Sequence, residues 1–179
     1  MRRLTCHSRE QAMSNLRRYH TAGNWYFITN VTYLRRPVLV EHADLLLSAF
    51  ERCRERVAHD LHAWVILPDH FHAVINSKDG DMSGIMQRIK MGFAAHLRLR
   101  TGNRRGRVWQ NRFWDHVIRD EEDLNRHIDY IHYNPVKHEL ASSPFEWKHS
   151  SIHQFHLEGI YDQDWGRRDA PQFDGNFGE

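Results

Sequence analysis

The chain is poor in cysteine and in long apolar runs, and each shortage excludes some classes of protein. Its 179 residues include two cysteines, Cys6 and Cys53, whose spacing suggests neither a zinc finger nor a disulfide framework. No apolar run exceeds the five residues 63–67, so we expect neither a membrane-spanning segment nor the core of a signal peptide. These absences favour a cytoplasmic protein of one domain, long enough for an ordinary hydrophobic core.

Acidic residues are missing from one long stretch of the chain. Residues 84–114 contain eight arginines or lysines and no acid, whereas residues 158–179 contain six acids and two arginines. The middle stretch is typical of a surface that binds a polyanion, although a solvated helix face is the alternative. The tail is typical of an acidic, disordered segment.

Hydrophobic periodicity divides the chain into predicted strands and helices. The strands cover residues 25–32, 61–67, 70–76 and 113–118, and the helices cover residues 41–57, 83–99 and about 120–134. We expect Ser83 to be the N-cap of the second helix and Pro135 to end the third. The order β-α-β-β-α-β, followed by a helix, predicts an α+β, ferredoxin-like sandwich with an antiparallel sheet covered by helices on one face. The folded domain should span residues 1–157, with the tail over 158–179.

A histidine pair forms the first part of a candidate site. His70 and His72 are two residues apart on a predicted strand, so they share one face, while Phe71 points to the other. Two imidazoles on one face suit a divalent metal ion. The alternative is a chance pair among 15 histidines.

The last predicted helix supplies the second part of the site. Tyr130 and Asn134 share a face with Asp123 and His127. If that face packs on the histidine strand, a metal held by the imidazoles and the amide oxygen would polarise a phosphate, which Tyr130 would attack. This pattern predicts a tyrosine-dependent enzyme that cleaves a DNA strand. Tyr133 is the competing nucleophile, and His127 is a candidate helper in removing the phenolic proton.

Basic and aromatic residues supply the candidate DNA contacts. Residues 109–114 combine aromatic rings, amides and arginine, which suit stacking on unpaired bases and hydrogen bonds to phosphates. We expect either Trp109 or Phe113 to belong to the core instead. The candidate DNA-binding residues are Arg17, Arg18, Lys90, Arg104, Arg105, Arg107, Trp109, Gln110 and Arg112.

With these motifs in place, the chain resembles the REP-associated tyrosine transposases. These are domesticated relatives of the single-tyrosine transposases of bacterial insertion sequences, within the His-hydrophobic-His endonuclease superfamily. The matching motifs run in order along residues 17–155 and include LPDHFH at 67–72, VWQNRF at 108–113 and YIHYNPVK at 130–137. The resemblance implies a ferredoxin-like fold and binding to repetitive extragenic palindromes. It also implies cleavage of single-stranded DNA through a 5′-phosphotyrosine, with Mg²⁺ or Mn²⁺.

The resemblance also assigns residues. His70 and His72 match the family's metal pair, Asn134 its third ligand and Tyr130 its nucleophile, while Glu139 replaces a glycine that usually follows the helix. The expected partner is single-stranded or hairpin DNA at the bacterial nucleoid, with no membrane, and both a monomer and a homodimer remain open. Two other functions also remain open: a non-catalytic nucleic-acid-binding module, and a metal-dependent hydrolase that uses water.

Overall fold

The computed structural model describes residues 24–103, 105–167 and 170–179, and the candidate DNA contacts Arg17, Arg18 and Arg104 lie outside these ranges. The strands are β1 (Asn24–Val31), β2 (His59–Ile66), β3 (His70–Ser77) and β4 (Trp114–Val117). The helices are α1 (Ala43–Arg54), α2 (Met82–Thr101), α3 (Glu121–Lys137) and α4 (Ile152–Leu157). Short 3₁₀ turns cover Tyr33–Arg35 and Pro144–Glu146. No helix among these residues is long and apolar enough to cross a membrane.

The four strands form one open antiparallel sheet in the order β2-β3-β1-β4. This order, with a helix after β1 and another after β3, confirms the predicted α+β, ferredoxin-like fold. β3 lies in the interior of the sheet, so its two histidines are flanked by strands on both sides. In the register of β1 and β3, Val31 faces His70 and Thr29 faces His72.

Alternation along β3 sends its side chains into two separate cores. Phe71, Ala73 and Ile75 pack in the core beneath α1 and α2, whereas Val74 packs in the core beneath α3. Helices therefore cover both faces of the sheet, which corrects the expectation that helices would cover one face, and α3 covers the face that carries the histidines. Burial of one large apolar side chain stabilises the fold by about 1.5–3 kcal/mol, and Phe71 is fully enclosed. The apolar face of β3 thus anchors the strand while its other face serves the site.

Two helix boundaries differ from the sequence-based expectation. Asp81, not Ser83, caps α2, because its carboxylate accepts a hydrogen bond from the Gly84 amide at 2.8 Å. α3 continues through Pro135 to Lys137. A proline this close to a helix end removes one backbone hydrogen bond, and the ladder resumes at once, since the His138 amide donates to the Asn134 carbonyl at 3.0 Å.

The chain turns after α3 at Glu139, which has a φ of +57°. Glycine adopts this left-handed conformation most easily, which agrees with a glycine at this place in the family pattern. Glu139 has a Cβ atom, which makes this conformation less favourable than it is for glycine. The chain therefore still leaves α3 through a left-handed turn, at some cost in conformational energy.

The tail differs from the expected solvated segment. Its described parts, residues 158–167 and 170–179, contain no helix or strand, yet the second of them lies against the histidine face of the sheet. Phe177 belongs to the core beneath α3 and is 7% exposed. Its low content of apolar residues predicted solvation, but Phe173 and Phe177 pack on the core beneath α3, and Glu179 contacts His72 and Asn134. The domain boundary at residue 157 stays a prediction.

Candidate active site

His70 is held by a carboxylate that lies next to it in the chain. Its Nδ1 donates to Asp69 Oδ1 at 2.6 Å, and Arg35 donates to the other oxygen of Asp69 at 3.1 Å. The other ring nitrogen, Nε2, is buried without a hydrogen-bond partner. A histidine that donates through one nitrogen to a carboxylate and presents the other to a common point has the usual arrangement of a metal ligand.

His72 is held in the same way by β1. Its Nδ1 lies 2.8 Å from Thr29 Oγ1, and the Thr29 hydroxyl donates to the Phe177 carbonyl at 2.5 Å. Because the single hydroxyl proton is used there, we assign the hydrogen of this contact to Nδ1 of His72. Complete burial lowers the pKa of His72 to about 4. The ring is therefore neutral near pH 7, with the lone pair of Nε2 directed into the site.

The predicted ligands meet at one atom, Glu179 Oε1. His72 Nε2 lies 2.9 Å from this oxygen, Asn134 Nδ2 2.9 Å and His70 Nε2 3.7 Å. His138 Nε2 also contacts it, at 3.1 Å, although the sequence analysis did not include this residue. The structure thus brings His70, His72 and Asn134 together, as their spacing along the strand and the helix predicts.

These residues fit a divalent cation. The buried His70 Nε2 and Asn134 Oδ1 have no hydrogen-bond partner, so two electron-pair donors are left unsatisfied beside the common point. The ligand atoms of His70, His72 and Glu179 lie within 4.8 Å of one another. Imidazole nitrogens with amide and carboxylate oxygens form a donor set that divalent ions accept.

Tyr130 lies on the same side of the sheet as the histidine pair. It is 1% exposed, and its ring centroid is 5.4 Å from that of His72. Its hydroxyl accepts a hydrogen bond from Lys137 Nζ at 2.8 Å, and Lys137 also forms an ion pair with Glu179. Burial, followed by the Glu179 carboxylate, raises the pKa of Tyr130 well above its ordinary value. The phenol is therefore protonated in the described arrangement.

Tyr133, the competing nucleophile, points elsewhere. Its ring lies 6.3 Å from that of Trp165 and 6.0 Å from that of Phe173. Three residues turn a helix by about 300°, which leaves Tyr133 about 60° away from Tyr130 around the helix axis. Both rings contact Phe173, but Tyr130 also contacts His72. The geometry groups Tyr130, and not Tyr133, with the histidines.

Comparisons with known proteins identify the family of this chain. Residues 21–134 match the family model described as "Transposase IS200 like". The chain belongs to this family of transposases. It is 33% identical to the REP-associated tyrosine transposase of Escherichia coli (strain K12), over 86% of this chain and 91% of that protein. It is 36% identical to a Haemophilus influenzae protein assigned to the same group, over 86% of this chain and 94% of that protein.

A solved structure extends the likeness to the fold. A REP-associated tyrosine transposase bound to a REP hairpin is 33% identical to this chain, with a TM-score of 0.74 over 93% of this chain and 98% of that one. The present protein is therefore a tyrosine transposase, an enzyme that cleaves and rejoins DNA. Enzymatic activity sets aside the alternative of a non-catalytic binding module.

His127, the candidate helper of the transposase, is held by a second cluster. Its Nδ1 donates to the Asp123 carbonyl at 2.7 Å, and its ring stacks on His116 at 4.6 Å and 18°. Asp123 also accepts hydrogen bonds from His116, Arg119 and Arg126. The ligand atoms of His116, Asp123 and His127 lie within 4.8 Å of one another. Each imidazole already uses one nitrogen in a hydrogen bond to Asp123, and two guanidinium groups beside the carboxylate oppose a cation. This cluster braces the start of α3 and does not suit a metal ion.

The basic stretch forms an exposed surface on the transposase. Arg105, Arg107, Gln110 and Arg112 are exposed, as the sequence predicted. The turn after β1 adds two cations that the sequence analysis missed, Arg35 and Arg36. Arg36 donates to the Arg107 carbonyl, and the Arg107 guanidinium lies 5.1 Å from the ring centroid of Tyr33 in this turn. Arg35, in the same turn, reaches the network of His70 through Asp69. The basic surface and the candidate site are thus directly connected.

Two candidate DNA contacts have structural roles instead. Trp109 is 5% exposed in the core beneath α1 and α2, and its indole donates to the Lys90 carbonyl at 3.0 Å. Its predicted place in a DNA groove is wrong, because a large ring next to Phe93 gains more from burial than an exposed ring would. Lys90 Nζ donates to the Gln110 carbonyl at 2.8 Å, so its charge supports the loop that carries the exposed residues.

Proposed function

We propose that this transposase cleaves single-stranded DNA next to a REP hairpin through a 5′-phosphotyrosine on Tyr130, with Mg²⁺ or Mn²⁺ held by His70, His72 and Asn134. The observation that carries the proposal is the meeting of these three ligand side chains within 3.7 Å of one carboxylate oxygen, beside the buried Tyr130. The hairpin-bound relative supports hairpin DNA as the substrate class. Activity on such DNA would place the protein at the bacterial nucleoid.

The protein's own residues prepare the ligands. Asp69 and Thr29 each accept a hydrogen bond from the Nδ1 of a histidine, so both imidazoles are oriented before an ion arrives. An imidazole binds a metal ion in its neutral form, and burial keeps His72 neutral near pH 7 by holding its pKa at about 4. The bound ion would supply positive charge that polarises the scissile phosphate and stabilises the charge developing on it.

Tyr130 would carry out the covalent step. Its oxygen loses the phenolic proton and forms a bond to phosphorus, the bond from phosphorus to the 3′ oxygen breaks, and the departing 3′ oxygen gains a proton, so that one proton is lost and one is taken up. The 5′ phosphate stays on the tyrosine, so the bond energy is kept, and a second 3′-OH can reverse the step and join strands. Lys137, 2.8 Å from the hydroxyl, would stabilise the phenolate by its charge.

DNA would have to displace the Glu179 carboxylate from this point. The carboxylate is an anion held by donors from Asn134 and Lys137, which are groups that would equally suit a phosphate. The described arrangement is therefore a closed site, and a scissile phosphate would occupy the position of the carboxylate in the open one.

A covalent-adduct assay tests the proposal against the water-dependent alternative. The protein is incubated with Mn²⁺ and a REP hairpin that carries a labelled single-stranded flank, then separated under denaturing conditions. Tyr130→Phe should bind the hairpin but form no adduct and no product, whereas the matched Tyr133→Phe should form both. His70→Ala should lose cleavage, with partial rescue by excess Mn²⁺. Cleavage by Tyr130→Phe without an adduct would identify water as the nucleophile, and an adduct in that variant would identify Tyr133.

A further inference from the structure

A third imidazole lies where the proposed metal ligands meet. His138 Nε2 is 3.1 Å from Glu179 Oε1, the oxygen that His72 and Asn134 also contact. The His138 ring centroid is 5.2 Å from that of His70, and the side chain is one-third exposed, at 33%. This ring therefore stands at the solvent side of the ligand group, opposite the buried His72.

The helix explains why His138 reaches the site. Tyr130, Asn134 and His138 follow one another at intervals of four residues, which keeps them on one side of α3. α3 runs through Pro135 to Lys137, and His138 still donates its amide to the Asn134 carbonyl. The left-handed turn comes only at Glu139. A helix that ended at Pro135 would not direct this ring toward His70.

We propose that His138 is a further ligand of the metal ion that this site binds, beside His70, His72 and Asn134. The inference rests on the proposed function, since it concerns the same ion. Three imidazoles and one amide oxygen give a site with more nitrogen donors than the histidine pair alone provides. Because His138 is the most exposed of these ligands, it is also the one that an arriving ion meets first.

The alternative role for His138 on the same contacts is to hold Glu179 alone. The two roles differ in what happens when Glu179 is replaced. If His138 only anchors the carboxylate, its effect on the ion disappears in a Glu179→Ala protein. If His138 is a ligand, its effect on the ion persists there.

The test measures binding of Mn²⁺ alone to the full chain, by calorimetry and by electron–nuclear double resonance, which counts the coordinated imidazole nitrogens. In both the wild-type and Glu179→Ala backgrounds, His138→Ala should reduce that count from three to two and weaken Mn²⁺ binding by about tenfold or more. His138→Gln, which keeps a polar side chain, should lose the same nitrogen. The matched control is His153→Ala, since His153 is exposed on α4, and it should change neither quantity.

The outcomes separate this inference from the proposed function. Unchanged count and affinity in His138→Ala, with loss of binding in His70→Ala, would overturn the role of His138 and leave the proposed site intact. An effect of His138→Ala that vanishes in the Glu179→Ala background would also overturn it. Unchanged binding in both His70→Ala and His138→Ala would overturn the proposed metal site itself.

Discussion

The ring of Phe177 lies flat on the ring of Tyr130, with centroids 3.7 Å apart and 8° between the planes. The Phe177 carbonyl accepts a hydrogen bond from Thr29, the residue that orients His72, so the stack is tied to the histidine pair. Glu179, two residues further on, occupies the point where the ligands meet. One short segment thus covers the candidate nucleophile and fills the candidate metal site together.

Removing this cover should speed up the covalent step. The double variant Phe177→Ala/Glu179→Ala should form the protein–DNA adduct several-fold faster than the wild type, because the phosphate no longer competes with a stacked ring and a carboxylate. The initial rate of adduct formation at saturating hairpin and Mn²⁺ measures the effect. Gln172→Ala, an exposed change in the same segment, should leave the rate unaltered. An equal rate in the double variant would mean that the segment does not limit access.

Lys137 should matter for the rate and little for DNA affinity. Lys137→Met keeps the apolar stem but removes the ammonium 2.8 Å from the Tyr130 hydroxyl. We expect adduct formation to slow by roughly 10²-fold, since the variant has no charge beside the reacting oxygen, and Lys137→Arg to retain most of the rate. Single-turnover rates across pH provide the check: the Met variant should gain more from rising pH than the wild type. Coincident pH profiles would exclude this role.

The exposed arginines should determine the salt dependence of hairpin binding. Arg105→Gln/Arg107→Gln should reduce the slope of log affinity against log salt by about 0.7–0.9 for each phosphate that the variant no longer neutralises. Fluorescence anisotropy with a labelled hairpin, between about 50 and 200 mM salt, measures the slope. Arg54→Gln, an exposed change on α1, should preserve it. A slope unchanged by the double variant would place the DNA on another surface.

Asp129 should make stability depend on pH. Burial raises the pKa of Asp129 from 3.8 to about 6, although the Tyr161 hydroxyl donates to this carboxyl at 2.5 Å. The folded state thus holds this proton more tightly than the unfolded state does. The resulting stability is fully present below pH 3.8 and is lost as pH rises through about 6.

The variant that tests this is Asp129→Asn, which accepts the same hydrogen bond without titrating. It should exceed the wild type in free energy of unfolding at pH 7, by at most about 3 kcal/mol, with little difference at pH 4. Urea denaturation at the two pH values gives both quantities. A difference that is the same at both would show that Asp129 does not titrate in this range.

The parts of the molecule with a regular period were predictable from the sequence. Alternation on β3 placed His70 and His72 on one face, and the four-residue interval on α3 placed Tyr130 and Asn134 on another. The strand and the helix each carry apolar residues beside these polar ones, and burial of the apolar residues in one shared core packs α3 on β3. The fold followed from the same periods, because the order of strands and helices leaves few ways to form one sheet.

The residues that sequence reasoning missed lie where no local period acts. Lys137 and His138 were placed beyond the helix because Pro135 was expected to end it, whereas a proline near a helix end costs only one hydrogen bond. Phe177 and Glu179 lie in an irregular segment, whose position depends on contacts with distant residues and not on its own pattern. Their signal was limited to one aromatic ring and one acid at the end of a polar tail.

The central claim is that Tyr130 becomes linked to a 5′ phosphate, and peptide mapping tests it most directly. After reaction with Mn²⁺ and the flanked hairpin, trypsin should cleave after Arg126 and after Lys137 and release residues 127–137. This peptide contains both Tyr130 and Tyr133. Fragmentation by tandem mass spectrometry then locates the attached nucleotide. We predict a 5′-phosphonucleotide on Tyr130 with Tyr133 unmodified. A nucleotide on Tyr133, or cleaved DNA with an unmodified peptide, would contradict the mechanism.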